Sequence, residues 1–220
     1  MARGPRALIV RGGWEGHSPV AAAEWCAELL GGAGYDVTVS GSLDSYLDTE
    51  LLEATDLVVQ CWTMGRLTDG QSAGLRTAVR RGTGFAGWHG GIVDAFREDT
   101  DYQLMTGGQF VYHPAEFVTY EVRPTPAGAV HPATAGIGPY RVTTEQYYVH
   151  LAPGIEVLAV SEFTADPDQP ALAGALVPVT WTQTWGAGRV FVTTIGHRPA
   201  DLVVPEVATT IRQGLVWATR

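Results

Sequence analysis

Short apolar runs alternate with amphipathic segments along the first half of the chain. Strands are predicted at 7–10, 35–40, 57–60 and 84–88. Between them, Ser18-Pro19 is typical of a helix start, and Thr68-Asp69-Gly70-Gln71 has the spacing of a capping box. Strands that alternate with helices predict a parallel sheet with helices on both faces.

The second half of the chain has a different pattern. Strands are predicted at 117–122, 156–163, 176–185 and 189–194, and the last two flank a glycine-containing hairpin turn. A closing helix is predicted at 205–218. No linker-like stretch and no internal repeat interrupts the sequence. The predicted fold class is therefore α/β, mostly parallel with antiparallel strands in the C-terminal half, and residues 1–220 are expected to form one domain.

Charge and composition narrow the range of partners. The formal net charge is −9, which argues against nucleic acid and anionic membranes as partners. The apolar run at 7–10 is too short for a signal peptide or a membrane span. The two cysteines, Cys26 and Cys61, fall in a predicted helix and a predicted strand. A disulfide framework is not expected, and a cytoplasmic protein is the simplest interpretation. Oligomeric state stays open, and a homo-oligomer is compatible with the sequence.

The strongest local motif is Gly87-Trp88-His89-Gly90-Gly91, which follows an apolar strand. Glycines flank the central residue of a nucleophile elbow because the turn there is sharp. The motif predicts an imidazole at the C-terminal edge of the sheet, where open α/β folds bind ligands. Histidine suits proton transfer or metal binding better than acyl transfer. The alternative is that His89 only caps the next helix.

Three further histidines stand beside predicted strand ends, namely His17, His113 and His197. His17, His89 and His197 are predicted to converge and, with a carboxylate such as Glu145 or Glu15, to offer ligands for zinc or a similar divalent ion. The alternative is that each histidine makes separate hydrogen bonds in its own loop. No cofactor is certain from sequence, because no His-x-x-x-His or Cys-x-x-Cys spacing is present.

A carboxylate and several aromatic residues complete the candidate site. Glu145 lies among aromatic residues and is a candidate general base or a partner that orients a histidine, the alternative being a solvated loop glutamate. Aromatic rings at a cleft commonly stack on sugars. The aromatic candidates for substrate binding are Trp14, Trp62, Trp88 and Tyr148. The other candidates for substrate binding are the histidines His17, His113 and His197.

Seven segments together carry a resemblance to a known family. They are Gly16-His17-Ser18-Pro19, 84–91, 107–114, 131–137, Glu145-Gln146-Tyr147-Tyr148, Pro178-Val179-Thr180-Trp181 and 186–197. In this order they resemble the ThuA-like (trehalose utilisation) family. The resemblance implies a flavodoxin-like, class I glutamine amidotransferase-like three-layer sandwich. In those amidotransferases the elbow residue is cysteine, whereas His89 stands here, so a cysteine-dependent glutaminase is disfavoured.

The resemblance also implies a role in the use of trehalose or related disaccharides, including 3-keto sugars. On this view, a small-molecule sugar binds at the rim. His89 and Glu145 handle protons next to its carbonyl group, and His17, His113 and His197 polarise it directly or through a metal. A lyase, an isomerase and a hydrolase all stay open. In the commoner family pattern, Asp-Glu-x-Tyr, an aspartate precedes the glutamate, whereas this chain has Thr144 before Glu145. Because the second carboxylate is missing, the alternative is a non-catalytic sugar- or metabolite-binding module.

Overall fold

A nine-stranded mixed sheet forms the centre of the computed structural model, which describes residues 4–115 and 117–220. The strands in chain order are β1 Arg6–Gly13, β2 Asp36–Ser40, β3 Leu57–Thr63, β4 Gly84–Trp88, β5 Gly108–Tyr112, β6 Val118–Pro124, β7 Tyr140–Thr144, β8 Tyr148–Leu151, β9 Glu156–Glu162, β10 Leu176–Trp185 and β11 Gly188–Thr193. The order across the large sheet is β2-β1-β3-β4-β11-β10-β9-β6-β7, and β5 pairs with β8 in a separate small sheet.

Helices cover both faces of the large sheet. They are α1 Pro19–Gly32, α2 Thr49–Ala54, α3 Asp69–Arg80, α4 Gly90–Val93, α5 Thr100–Thr106, α6 Pro126–Val130, α7 Pro199–Leu202 and α8 Pro205–Ala218. The apolar sides of α1 and α8 join one buried cluster, whereas those of α3 and α5 join a second cluster on the opposite face. The molecule is therefore a three-layer α/β sandwich, as the sequence predicts.

The direction of the strands changes across the sheet. The pairing is parallel from one edge of the sheet to β11, through β2, β1, β3 and β4. Beyond β11 it is antiparallel, through β10, β9, β6 and β7. The continuous apolar run at 7–10 forms a strand buried on both faces, as expected for the centre of a parallel sheet. The mostly parallel sheet with antiparallel strands in the C-terminal half is thus confirmed.

Sequence patterns did not predict three of the strands, namely β5, β7 and β8. Each has only four or five residues, and their backbone partners lie elsewhere in the chain. Cys26 and Cys61 are both free and buried. Within the described residues, no helix is long and apolar enough to cross a membrane.

Trp181 tests the packing of this core. Its ring is fully buried, and its indole N–H donates to the carbonyl oxygen of Thr106 at 2.9 Å. Trp181→Ala removes both the packing and the hydrogen bond, so the free energy of unfolding should fall by about 3–5 kcal/mol in urea titrations. Val130 is 80% exposed, so Val130→Ala should change the free energy of unfolding by less than about 0.5 kcal/mol. Equal effects of the two variants would contradict this packing.

Candidate functional site

The strands β1, β3, β4 and β11 end at one edge of the sheet, and the residues that follow them meet there. The chain order reverses between β1 and β3, which is where open α/β sheets bind ligands. His17, His89, Glu145 and His197 each offer a ligand atom there, and these four atoms all lie within 4.8 Å of one another. We call these four residues the histidine cluster. Glu145 rather than Glu15 supplies the carboxylate.

His89 occupies a strained turn between β4 and α4. Its φ of 49° and ψ of −147° are rare for a residue with a side chain, and such a conformation costs about 1–3 kcal/mol. The neighbouring glycines leave room for the turn. A Cβ atom added at Gly87 would lie 2.6 Å from the carbonyl oxygen of Gln60, and one at Gly90 would lie 2.7 Å from His17 Nδ1. Close packing therefore requires glycine at both positions.

Both ring nitrogens of His89 are engaged. A carbonyl oxygen only accepts hydrogen bonds, so His89 Nδ1 donates to that of Thr194 at 2.8 Å. Nε2 lies 3.0 Å from Glu145 Oε2. An unprotonated Nε2 would face a carboxylate oxygen, and two acceptors at this distance repel. A hydrogen shared between the two atoms, or a metal ion held by both, would remove this repulsion.

Glu145 lies between β7 and β8 and is surrounded by imidazoles. Its Oε2 is 3.0 Å from His89 Nε2 and 3.1 Å from His197 Nδ1, and its Oε1 is 3.7 Å from His113 Nε2. Burial alone would raise the pKa of Glu145, but its contacts with His197 and His89 outweigh burial and hold the pKa well below its usual range. Glu145 is therefore a charged carboxylate, and such a carboxylate is a weak base.

His17 contributes a neutral imidazole. Its Nδ1 is 2.8 Å from the hydroxyl oxygen of Thr63, the last residue of β3. Burial, reinforced by the nearby His89 and His197, lowers the pKa of His17 to about 3. A neutral imidazole keeps a lone pair available for a cation.

His197 has a buried nitrogen without a hydrogen-bond partner. Its Nδ1 is close to Glu145 but too poorly aligned for a hydrogen bond. The adjacent loop is fixed by Asp201, whose carboxylate accepts from the Arg198 backbone N–H at 3.0 Å and from the Thr144 hydroxyl at 2.7 Å. Thr144 immediately precedes Glu145 and stands where the commoner family pattern has aspartate. Its hydrogen bond to Asp201 thus connects the segment that carries Glu145 to the loop that carries His197.

His113 stands at the outer side of the cluster, after β5. Its side chain is 32% exposed, compared with 1% for His89. Tyr147 lies between these two histidines, with ring centroids 4.1 Å from His89 and 5.9 Å from His113. Burial raises the pKa of Tyr147 well above its usual value, so the phenol keeps its proton. Sequence reasoning missed Tyr147, although it stands two residues after Glu145 in the same motif.

The predicted aromatic residues have different surroundings. Trp14 is 47% exposed, and its ring packs against His17 with centroids 4.8 Å apart. Trp62 packs over Gly12, and Trp88 is buried against Trp25. Tyr148 packs against His150 and Phe163, outside the histidine cluster. Of the four, Trp14 is the ring that is both exposed and in contact with the cluster.

The sequence predicts that neither cysteine is near the elbow, and for Cys61 this is wrong, because β3 and β4 are neighbours in the sheet. With His17 and His89, it lines a cavity of about 10 Å³, large enough for about one water molecule. Burial raises the pKa of Cys61 to about 12, so the thiol stays protonated. A buried thiol is a poor nucleophile, which agrees with the expectation against thiolate chemistry.

Comparison with known proteins identifies the family. The family model named ThuA, described as trehalose utilisation, matches residues 6–218. The chain belongs to the ThuA family. Membership in the ThuA family supports a role in carbohydrate utilisation. No curated protein sequence matches the chain significantly.

Solved structures show the same fold at low sequence identity. A ThuA-like protein from Parabacteroides merdae has a TM-score of 0.81 at 16% identity, covering 98% of this chain and 90% of that one. A protein described as cytoplasmic from Salmonella typhimurium LT2 has a TM-score of 0.71 at 13% identity, covering 98% and 100%. A β-galactosidase from Bacillus circulans has a TM-score of 0.63 at 14% identity, with 99% of this chain matching 30% of that enzyme. The TM-scores establish a shared fold for this ThuA family member, and at such low identities they establish the fold alone.

Gly90→Ala tests the packing of the elbow. The new Cβ atom would overlap the His17 ring, so the ring must move and the free energy of unfolding should fall by about 1–3 kcal/mol in urea titrations. Gly138 has no neighbour within 4 Å of an added Cβ atom, and Gly138→Ala is the matched control with an expected change below about 0.5 kcal/mol. Unchanged stability in Gly90→Ala would show that His17 does not pack on the elbow.

Proposed function

We propose that this ThuA family member is an enzyme of carbohydrate utilisation that acts on a keto derivative of trehalose or a related disaccharide, with a divalent metal such as zinc at the histidine cluster. The observation that carries the proposal is the convergence of four ligand atoms within 4.8 Å of one another. The donor set is three imidazoles and one carboxylate, which suits zinc and similar transition metals.

The surroundings of the donors support a metal site. Histidines that bind metals usually use their second ring nitrogen for a hydrogen bond that fixes the ring. His89 Nδ1 donates to Thr194, and His17 Nδ1 contacts Thr63. His197 Nδ1 is buried beside Glu145 without a hydrogen-bond partner. A cation there would satisfy this nitrogen and would separate His89 Nε2 from the Glu145 carboxylate.

The distances are also close to those that a metal site requires. Ligands at the usual zinc distances lie roughly 3.4 Å apart in a tetrahedral site. The contacts of Glu145 Oε2 with His89 and His197 are 3.0 and 3.1 Å, and the widest separation within the cluster is 4.8 Å. Small side-chain rotations would therefore bring the four donors to tetrahedral spacing.

The chemistry follows from the donors and their position. A bound divalent ion polarises a carbonyl oxygen, which makes hydrogens on the neighbouring carbons more acidic. In this proposal His89 and Glu145 act as donors that hold and orient the centre, in place of the proton transfer expected from the sequence. The exposed ring of Trp14, which packs on His17, offers an apolar surface for the C–H face of a sugar.

A non-catalytic sugar-binding module is the second candidate. Two observations favour it: both ring nitrogens of His89 are engaged, and Thr144 supplies no second carboxylate. The two candidates differ in product formation, because both require binding of a sugar.

Elemental analysis tests the metal. Protein purified without added metal should contain about one divalent ion per chain, and His17→Ala and His197→Ala should lose it while keeping their circular dichroism spectra. His150, an exposed histidine on β8, provides the control, since His150→Ala should retain the ion. Thr63→Val, which removes the partner of His17, should weaken zinc affinity by about 10–100-fold. Failure of the wild type to contain or bind zinc or cobalt would refute the metal centre.

Incubation with 3-keto-trehalose, followed by NMR, tests the reaction. The wild type should convert the keto sugar, and Glu145→Gln should lower kcat/KM by at least about 100-fold because it removes the charge at the centre. Calorimetry with trehalose and 3-keto-trehalose should accompany the assay. Tight binding without any product would favour the binding module over the enzyme.

A further inference from the structure

We propose that His113 is the catalytic residue that moves the substrate's proton, whereas the buried histidines His89 and His197 only hold the centre. The inference rests on the proposed function, because it concerns the same site and a keto-sugar substrate. It assigns proton transfer to a residue outside the group of four that converges on the metal position.

Two buried members of the cluster, His89 and His197, are poorly placed for proton exchange with a substrate. The side chain of His89 is 1% exposed, and its two nitrogens face Thr194 and Glu145. His197 Nδ1 lies 3.1 Å from the same carboxylate oxygen, and its side chain is 11% exposed. A residue that transfers a proton must lie within hydrogen-bond reach of the reacting group.

The orientation of His113 fits that requirement. Its Nδ1 lies 2.6 Å from the carbonyl oxygen of Pro114 and donates to it, because a carbonyl only accepts. In this tautomer the lone pair of the ring is on Nε2, where a base needs it. Phe110 and Tyr147 hold the ring, with centroids 5.7 and 5.9 Å away. The 32% exposure of the side chain connects it to solvent.

Glu145 is placed to support His113. Its Oε2 faces His89 and His197, whereas its Oε1 is 3.7 Å from His113 Nε2. This separation is too long for a direct hydrogen bond, so Nε2 remains free for a substrate atom. The carboxylate nevertheless lies close enough to favour the positive charge that develops on the ring during the transfer.

The step itself balances without any co-reactant. The C–H bond beside the substrate's ketone breaks, and the proton goes to His113 Nε2. The electron pair of that bond forms a carbon–carbon double bond, and the carbonyl oxygen takes the negative charge of an enolate. Return of a proton from His113 to carbon reverses the step. Because His113 exchanges with solvent, the returned atom in D₂O is deuterium.

Deuterium exchange into methyl 3-keto-glucopyranoside, followed by NMR, tests the assignment. The wild type should exchange the hydrogens beside the ketone well above the buffer rate. His113→Gln should lose at least about 100-fold of that rate, the usual contribution of a general base, while its metal content is unchanged. Added imidazole should restore exchange to His113→Ala, more strongly as the basicity of the imidazole rises. His150→Gln is the control and should exchange at the wild-type rate.

The outcomes separate this inference from the proposed function. Exchange by the wild type that falls less than about 5-fold in His113→Gln would overturn the role of His113 and leave the proposed function standing. Loss of metal in His113→Gln, or a lack of rescue by any imidazole, would show a structural role and overturn the inference as well. Absence of exchange and of product in the wild type would overturn both.

Discussion

The site depends on one constraint, which is that the carboxylate of Glu145 is buried among imidazoles. An isolated buried carboxylate is costly, and proteins keep one only where positive charge or hydrogen bonds compensate it. Here the compensation comes from His89 and His197, which contact the same oxygen atom. The structure around the site holds these groups together against the repulsion that the histidines would feel if several were charged.

The fold brings the donors together through the sheet. Parallel strands end at one edge, so residues after β1, β4 and β11 become neighbours although they are distant in the chain. Glu145 comes from the antiparallel half, and Asp201 links it to His197 through Thr144 and Arg198. The strain at His89 costs about 1–3 kcal/mol, and such strain persists only where the surroundings fix the conformation. Trp88 and the glycines around the elbow supply that packing.

The sequence predicted part of this arrangement and missed another part, for physical reasons. The buried runs of β1 and β4, the glycine elbow and the histidines after strand ends are local patterns, and local patterns suffice to place them on one edge. The roles of Thr63, Thr194 and Asp201 are different. They depend on hydrogen bonds between residues 46, 105 and 57 positions apart, which no local pattern encodes. The position of Tyr147 between two histidines also depends on the pairing of β5 with β8, which short strands do not reveal.

The elbow shows why the same fold supports a different chemistry here. A nucleophile needs a free, exposed atom at the tip of the turn. At His89 the side chain is longer than a cysteine, and both of its nitrogens are engaged below the surface by Thr194 and Glu145. The elbow therefore fixes a ring rather than presenting an attacking atom. Cys61, the nearby thiol, is buried and protonated, so it does not replace the missing nucleophile. In the proposed function, exchange with a substrate therefore occurs farther out, where His113 and Trp14 reach solvent, and this separates the holding of the centre from the transfer of the proton.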